Sequence, residues 1–73
     1  MKDLREVPLA KQQEAILRVM IEDGSITTME CFQKLGITTL AERVSELRKK
    51  GFQFEQKWET NQNGKRYIRY SLI

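Results

Sequence analysis

Apolar positions along the chain change their period at Gly51, and the change divides a helical part from an extended one. In the first part Ile16, Leu17, Met20 and Ile21 recur at i, i+1, i+4 and i+5, while Gln12, Glu14, Arg18 and Glu22 fall on other faces. That is one stripe of an amphipathic helix. Pro8 suits a first helical turn and Asp23-Gly24 suits an end, so the pattern predicts a helix over 9–22. Ser25-Ile26-Thr27 reads as a short extended link. Thr27 and Glu30 have capping-box spacing, which starts a second helix just after Thr27. Met29, Phe32 and Leu35 recur every three residues and are expected to point inward, with Cys31 as a half-buried filler and Gly36 as the stop. Thr39 and Glu42 repeat the box. Leu40, Val44 and Leu47 then mark the inner stripe of a third helix over 40–50, closed by Arg48-Lys49-Lys50-Gly51.

After Gly51 the period is two. Phe52, Phe54 and Trp58 share one face, and Gln53, Glu55, Lys57 and Glu59 the other. Residues 60–64, Thr-Asn-Gln-Asn-Gly, carry a turn signal in which Asn63-Gly64 favours positive φ. Ile68, Tyr70 and Leu72 then alternate with Tyr67, Arg69 and Ser71. This is a β-hairpin with one face toward the helices. Trp58 and Tyr67 are expected to pack against each other across it, with stacking on single-stranded bases the lesser alternative; Trp58 or the first helix is also a candidate dimer contact.

The order is helix, link, helix, tight turn, helix, hairpin. A glycine in a link of four residues, 36–39, between two short helices is a helix-turn-helix signature, and a hairpin after it makes a winged helix. The expected fold class is therefore α+β: a winged helix-turn-helix domain of three helices followed by a β-hairpin wing. It occupies 9–73, after a flexible leader over 1–8. The expected core gathers Ile16, Leu17, Met20, Ile21, Ile26, Met29, Phe32, Leu35, Ile37, Leu40, Val44, Leu47, Phe52, Phe54, Ile68, Tyr70 and Leu72.

The string Gly24-Ser25-Ile26-Thr27, Glu30, Leu35-Gly36-Ile37, Leu40-Ala41-Glu42-Arg43-Val44 and Glu46-Leu47-Arg48-Lys49-Lys50-Gly51 resembles the short winged helix-turn-helix proteins of bacteriophages and prophages. It is also similar to the N-terminal DNA-binding domain of biotin repressors, where a Leu-Arg-x-x-Gly helix end leads into the wing. The resemblance spans roughly 12–72 and implies a DNA-binding regulator.

Composition narrows the chemistry. The 73 residues make one small domain with 13 Lys and Arg, 10 Asp and Glu and no His, a net charge of +3. One cysteine excludes an internal disulfide, and the absence of His removes most transition-metal sites and the usual general base. With no Gly-rich phosphate loop and no paired-carboxylate pocket, neither an enzyme nor a cofactor is expected, nor a small-molecule substrate. No apolar run approaches the roughly 20 residues of a membrane span, so a soluble protein is expected, and the lone Cys31 points to a reducing cytoplasm. Residues 1–37 hold five basic and six acidic groups, net −1, and residues 38–73 eight and four, net +4. The cationic half is the one with the third helix and the wing, which points to a polyanion.

Double-stranded DNA is the expected partner, bound by one copy or by a homodimer or cooperative neighbours. A recognition helix meets base edges from the major groove. With Leu40, Val44 and Leu47 inward, Thr38, Thr39, Glu42, Arg43 and Glu46 form the expected outward set, and Lys49 and Lys50 lie at its end. Arg43 suits a guanine edge; the alternative is an ion pair with Glu42 or Glu46. Thr39 and Glu42 also have capping as an ordinary role. Asn63, Lys65 and Arg66, with Lys57 and Arg69 on the strands, suit the flanking backbone. Two rival readings are an adaptor that uses Glu42, Glu46 and the wing to bind a host protein, and a non-specific architectural factor.

Overall fold

A computed structural model of the chain describes residues 9–73. The expected leader, Pro8 included, lies outside the described residues. Three helices, α1 (Lys11–Asp23), α2 (Thr28–Leu35) and α3 (Leu40–Lys49), precede the strands β2 (Phe54–Thr60) and β3 (Arg66–Leu72). The link before α2 forms a further strand, β1 (Ile26–Thr27), so the sheet has three antiparallel strands in the order β1-β3-β2. Ile26 pairs with Tyr70 and Thr27 with Arg69. The hairpin runs in register from Phe54 opposite Leu72 to Thr60 opposite Arg66. This is the winged α+β arrangement that the order of elements predicts, with the third strand added.

Local signals set the helix ends. The first helix starts two residues later than expected and ends one later. The Gln13 side chain reaches back to accept the Ala10 N–H at 3.1 Å. At α2 the Thr27 hydroxyl accepts the Glu30 N–H at 3.1 Å and the Glu30 carboxylate accepts the Thr27 N–H at 3.2 Å, the full reciprocal box. The second expected box does not form. Thr39 has φ −113° and ψ 42° and its side chain caps nothing; Glu42 instead lies 3.4 Å from Arg43.

The end of α3 directs the wing. The Phe52 N–H donates to the Leu47 carbonyl at 3.1 Å and the Gly51 N–H to the Arg48 carbonyl at 3.0 Å. Gly51 sits at φ 104°. This is a Schellman closure, and the left-handed residue it needs is a glycine because a Cβ there is strained. Phe52 and Leu47 are both buried members of the core, the two positions at which an apolar contact commonly accompanies this closure. The chain therefore leaves α3 straight into β2.

Ile16, Leu17 and Met20 of α1, Ile26, Cys31, Ile37, Leu40, Val44, Leu47, Phe52, Phe54 and Tyr70 form the core. Leu35, Ile68 and Leu72 pack at its edge, with Leu9 and Val19. Three expected members are missing: Ile21, Met29 and Phe32 are exposed. On α2 it is Cys31, fully buried, that fills the core. The reason is rotational. Glu30 is tied to the Thr27 cap and to Arg69 of β3, and this fixes the turn of a two-turn helix about its axis. At about 100° per residue, Cys31 and Leu35 then face inward while Met29 and Phe32 turn to solvent.

The hairpin corrects two further expectations. Asn63 has negative φ; among the described residues the positive-φ positions are all glycines, and Gly64 at 79° supplies the one the turn needs. The Asn61 carbonyl accepts the Gly64 N–H at 3.0 Å, and the Asn61 side-chain oxygen accepts the Asn63 and Lys65 N–H groups at 2.9 and 3.0 Å. Asn61 thus organises the tip. Trp58 lies opposite Ile68 and Tyr67 opposite Glu59, so the two rings sit on opposite faces of the hairpin and do not stack.

Candidate nucleic-acid interface

With Leu40, Val44 and Leu47 seated in the core, Ala41, Glu42, Ser45, Arg48 and Lys49 of α3 are exposed, as is Thr38 before it. Thr39 is half-buried. Arg43 and Glu46 do not share the outward face. The Arg43 side chain keeps 24% exposure and lies against α1: it donates to the Gln12 side chain at 3.3 Å and meets the Glu46 carboxylate at 3.2 Å. Its Nε is buried without a partner. Glu46 accepts from the buried Gln13 side chain at 2.8 Å, and Lys50 donates to the same Gln13 at 2.7 Å. Gln12, Gln13, Arg43, Glu46 and Lys50 make a polar seam that fixes α3 on α1.

The wheel of α3 accounts for Arg43, whereas Glu46 is drawn toward α1 by its contacts with Gln13 and Arg43. At about 100° per residue Arg43 falls about 70° from the core direction, on a flank, whereas Ser45 and Lys49 fall near the far side. Ser45 and Ala41 are the surface positions that sequence reasoning missed. The signal was present: they are small residues outside the Leu40, Val44, Leu47 stripe, Ser45 about 130° from the core direction and Ala41 about 90° from it on the flank opposite Arg43, and a small residue lets the backbone approach a groove closely.

On the wing, Asn63, Lys65 and Arg66 are all exposed at or beside the tip. The Arg66 guanidinium lies over the Trp58 ring, 4.5 Å from its centroid. Arg48 of α3 donates to the Gln56 side chain at 2.9 Å and lies 5.9 Å from the Phe54 ring centroid. These contacts join the end of α3 to one face of β2. Arg69 is committed elsewhere. Its guanidinium donates to Glu59 at 2.9 Å, to Ser25 at 3.0 Å and to Glu30 at 3.2 Å. The Glu59 partner raises the Arg69 pKa above the ordinary guanidinium value, and Glu59 in turn is held below the usual carboxylate range by Arg69 and then by the Tyr67 hydroxyl.

Among the described residues the carboxylate-paired cations are Arg18 with Glu14, Lys34 with Asp23, Arg43 with Glu42 and Glu46, and Arg69 with Glu30 and Glu59. Lys49, Arg48, Lys65 and Arg66 have no carboxylate partner there. Lys57 on the outer strand of the wing and Lys11 at the start of α1 also form no ion pair there, so apart from Lys11 these unpaired cations lie at the end of α3 and on the wing.

Other chemistries find little to build on. Among the described residues no three or more His, Cys, Asp and Glu side chains come together as metal ligands. Burial pushes the Cys31 thiol pKa up, away from the reactive thiolate. No helix of the described residues is long and apolar enough to cross a membrane.

No curated protein and no solved structure matches this chain. The model of the winged helix-turn-helix domain family matches residues 11–73, from the first residue of α1 to the end of the sheet, a family whose fold suggests DNA binding. With that match over the three helices and the sheet described above, the chain belongs to the winged helix-turn-helix domain family.

Proposed function

We propose that the protein binds double-stranded DNA with α3 in the major groove and the wing on the flanking backbone, as a regulator of transcription or recombination of the phage or prophage type. It has no enzymatic role in this reading. The observation that carries it is the placement of uncompensated cations. Lys49 at the end of α3 and Lys57, Lys65 and Arg66 on the wing lack carboxylate partners among the described residues, while Arg18, Lys34, Arg43 and Arg69 are ion-paired and Lys11 of α1 is the exception on the helices away from α3. Thr38, Ala41, Glu42, Ser45 and Lys49 present the groove-facing surface. Arg43 and Glu46 set the pose of α3 on α1. A single module of this kind buries about 600–1,000 Å² on DNA, so a second copy at an adjacent half-site supplies the remaining affinity.

The test is anisotropy of a labelled duplex at several salt concentrations. Wild-type protein binds at about 50 mM salt, and removing both Lys49 and Lys65 reduces the log–log salt slope by about two. No duplex affinity at that salt removes the DNA reading and leaves the protein adaptor.

A further inference from the structure

One face of the hairpin carries no carboxylate. The register places Phe54, Gln56, Trp58 and Thr60 of β2 on the same side as Arg66, Ile68, Tyr70 and Leu72 of β3. Glu55 and Glu59 alternate to the other side, where Glu59 is held by Arg69. The inner half of the carboxylate-free face covers the core through Phe54 and Tyr70. The outer half leaves Trp58 57% exposed, an unusual place for the largest apolar side chain. Arg66 covers that ring at 4.5 Å.

We propose that Trp58 and Arg66 form a phosphodiester-binding site on the wing, in which Trp58 is the positioning residue and Arg66 the contact. The inference rests on the DNA reading above and adds the group that makes the wing grip. Stacking engages the flat face of a guanidinium and leaves its N–H donors free at the edge. The ring therefore fixes the plane of the fork without consuming a donor, and a bidentate contact to a phosphate loses less side-chain freedom. A lysine in the same place has the charge but neither the plane nor the fork. The second cation next to this face, Arg48, is held in a similar way by Gln56 and the Phe54 ring. Trp58 is the chain's one tryptophan, so its emission reports the site directly.

The experiment uses the whole chain, a labelled duplex and the matching single strand, with anisotropy at several salt concentrations and iodide quenching of Trp58. Duplex binding shields Trp58 from iodide. Trp58→Ala weakens duplex binding about three- to fivefold, the range of an exposed cation–π contact, with an unchanged salt slope because no charge is lost. Trp58→Phe recovers part of this loss. Arg66→Ala reduces the slope by about one, whereas Arg66→Lys keeps the slope and still weakens binding. Each variant keeps the wild-type melt, since both side chains are exposed. Duplex binding that leaves Trp58 open to iodide, with Trp58→Ala equal to wild type, overturns this site and spares the DNA reading. Preferential binding of the single strand makes Trp58 a base-stacking platform and also overturns it. Wild-type protein with no duplex affinity removes the DNA reading and the site together.

Discussion

Arg69 of β3 reaches the Glu30 carboxylate of α2 at 3.2 Å, and the same carboxylate caps the Thr27 N–H at the start of that helix. One arginine thus ties a helix cap to the central strand, and through Glu59 it ties the central strand to the outer one. Both ends of the Arg69–Glu30 pair are largely covered, with 27% and 34% of their side-chain surfaces exposed.

Arg69→Met should therefore cost about 2 kcal/mol of stability, the scale of lost hydrogen bonds to charged groups. It removes the donor and leaves the Glu30 and Glu59 carboxylates without their shared partner. Urea unfolding measures it. A change below about 0.5 kcal/mol, the ordinary level of surface substitutions, would show the junction to be incidental.

The same junction sets an acid limb. Glu59 has a depressed pKa in the folded protein, with Arg69 as the main cause. A depressed carboxylate binds fewer protons folded than unfolded, so its contribution is complete above the unfolded value of about 4.3. It is lost as pH falls through the folded value. Lys34 acts in the opposite sense: the Asp23 carboxylate raises its pKa, so its contribution holds below the unfolded value of about 10.4 and is lost as pH rises through the folded one. Melting temperature followed against pH should fall at both ends. Glu59→Gln should reduce the acid limb alone, and Lys34→Met the alkaline limb alone and only in part, because the buried Cys31 thiol also has a raised pKa and loses its contribution as pH rises; a limb unchanged by its own substitution has another origin.

The junction also shows what was legible in the sequence. Thr27, Glu30, Gly24, Gly36 and Gly51 are local signals, and the helix ends they set follow from the nearest few residues. The rotation of α2 is not local. Its eight residues give too few turns to fix a phase, and Met29, Phe32 and Leu35 offered a stripe that β3 overrides through Arg69. The extended link at Ile26 and Thr27 was legible but its place in the sheet was not, because it becomes a strand only when Tyr70 and Arg69 lie beside it. At the interface, the cationic wing was legible from charge, but the polar seam needed Gln13, a residue with no sequence signal of its own.

The rotation of α2 gives a direct contrast between two substitutions. Phe32→Ser should change stability by less than about 0.5 kcal/mol, since the ring is 57% exposed. Val44→Asp should unfold the domain, since Val44 is 1% exposed and a carboxylate there is buried without a partner. Circular dichroism melts of the two variants settle the inner faces of α2 and α3. A large loss in the Phe32 variant would put that ring back in the core.

Arg43 and Ser45 separate the seam of α3 from its groove face. Arg43 is held by Gln12, Glu42 and Glu46, and Arg43→Ala removes these contacts and leaves Glu46 with only Gln13 on the α1 side. It should cost about 1–2 kcal/mol of stability, while duplex affinity measured well below the melt stays within about twofold. Ser45 is exposed on the far side of the Leu40, Val44, Leu47 stripe and, among the described residues, holds no side-chain hydrogen bond. Ser45→Glu should leave the melt unchanged and remove most duplex affinity, because it places a carboxylate against the groove beside Glu42 and Lys49. Unfolding curves and duplex anisotropy on both variants make the comparison. If Arg43→Ala keeps the wild-type melt and instead loses about 1–3 kcal/mol of preference at one base pair, then Arg43 leaves the seam on binding and reads a base. In that case the groove face of α3 is turned toward Arg43 and away from Ser45.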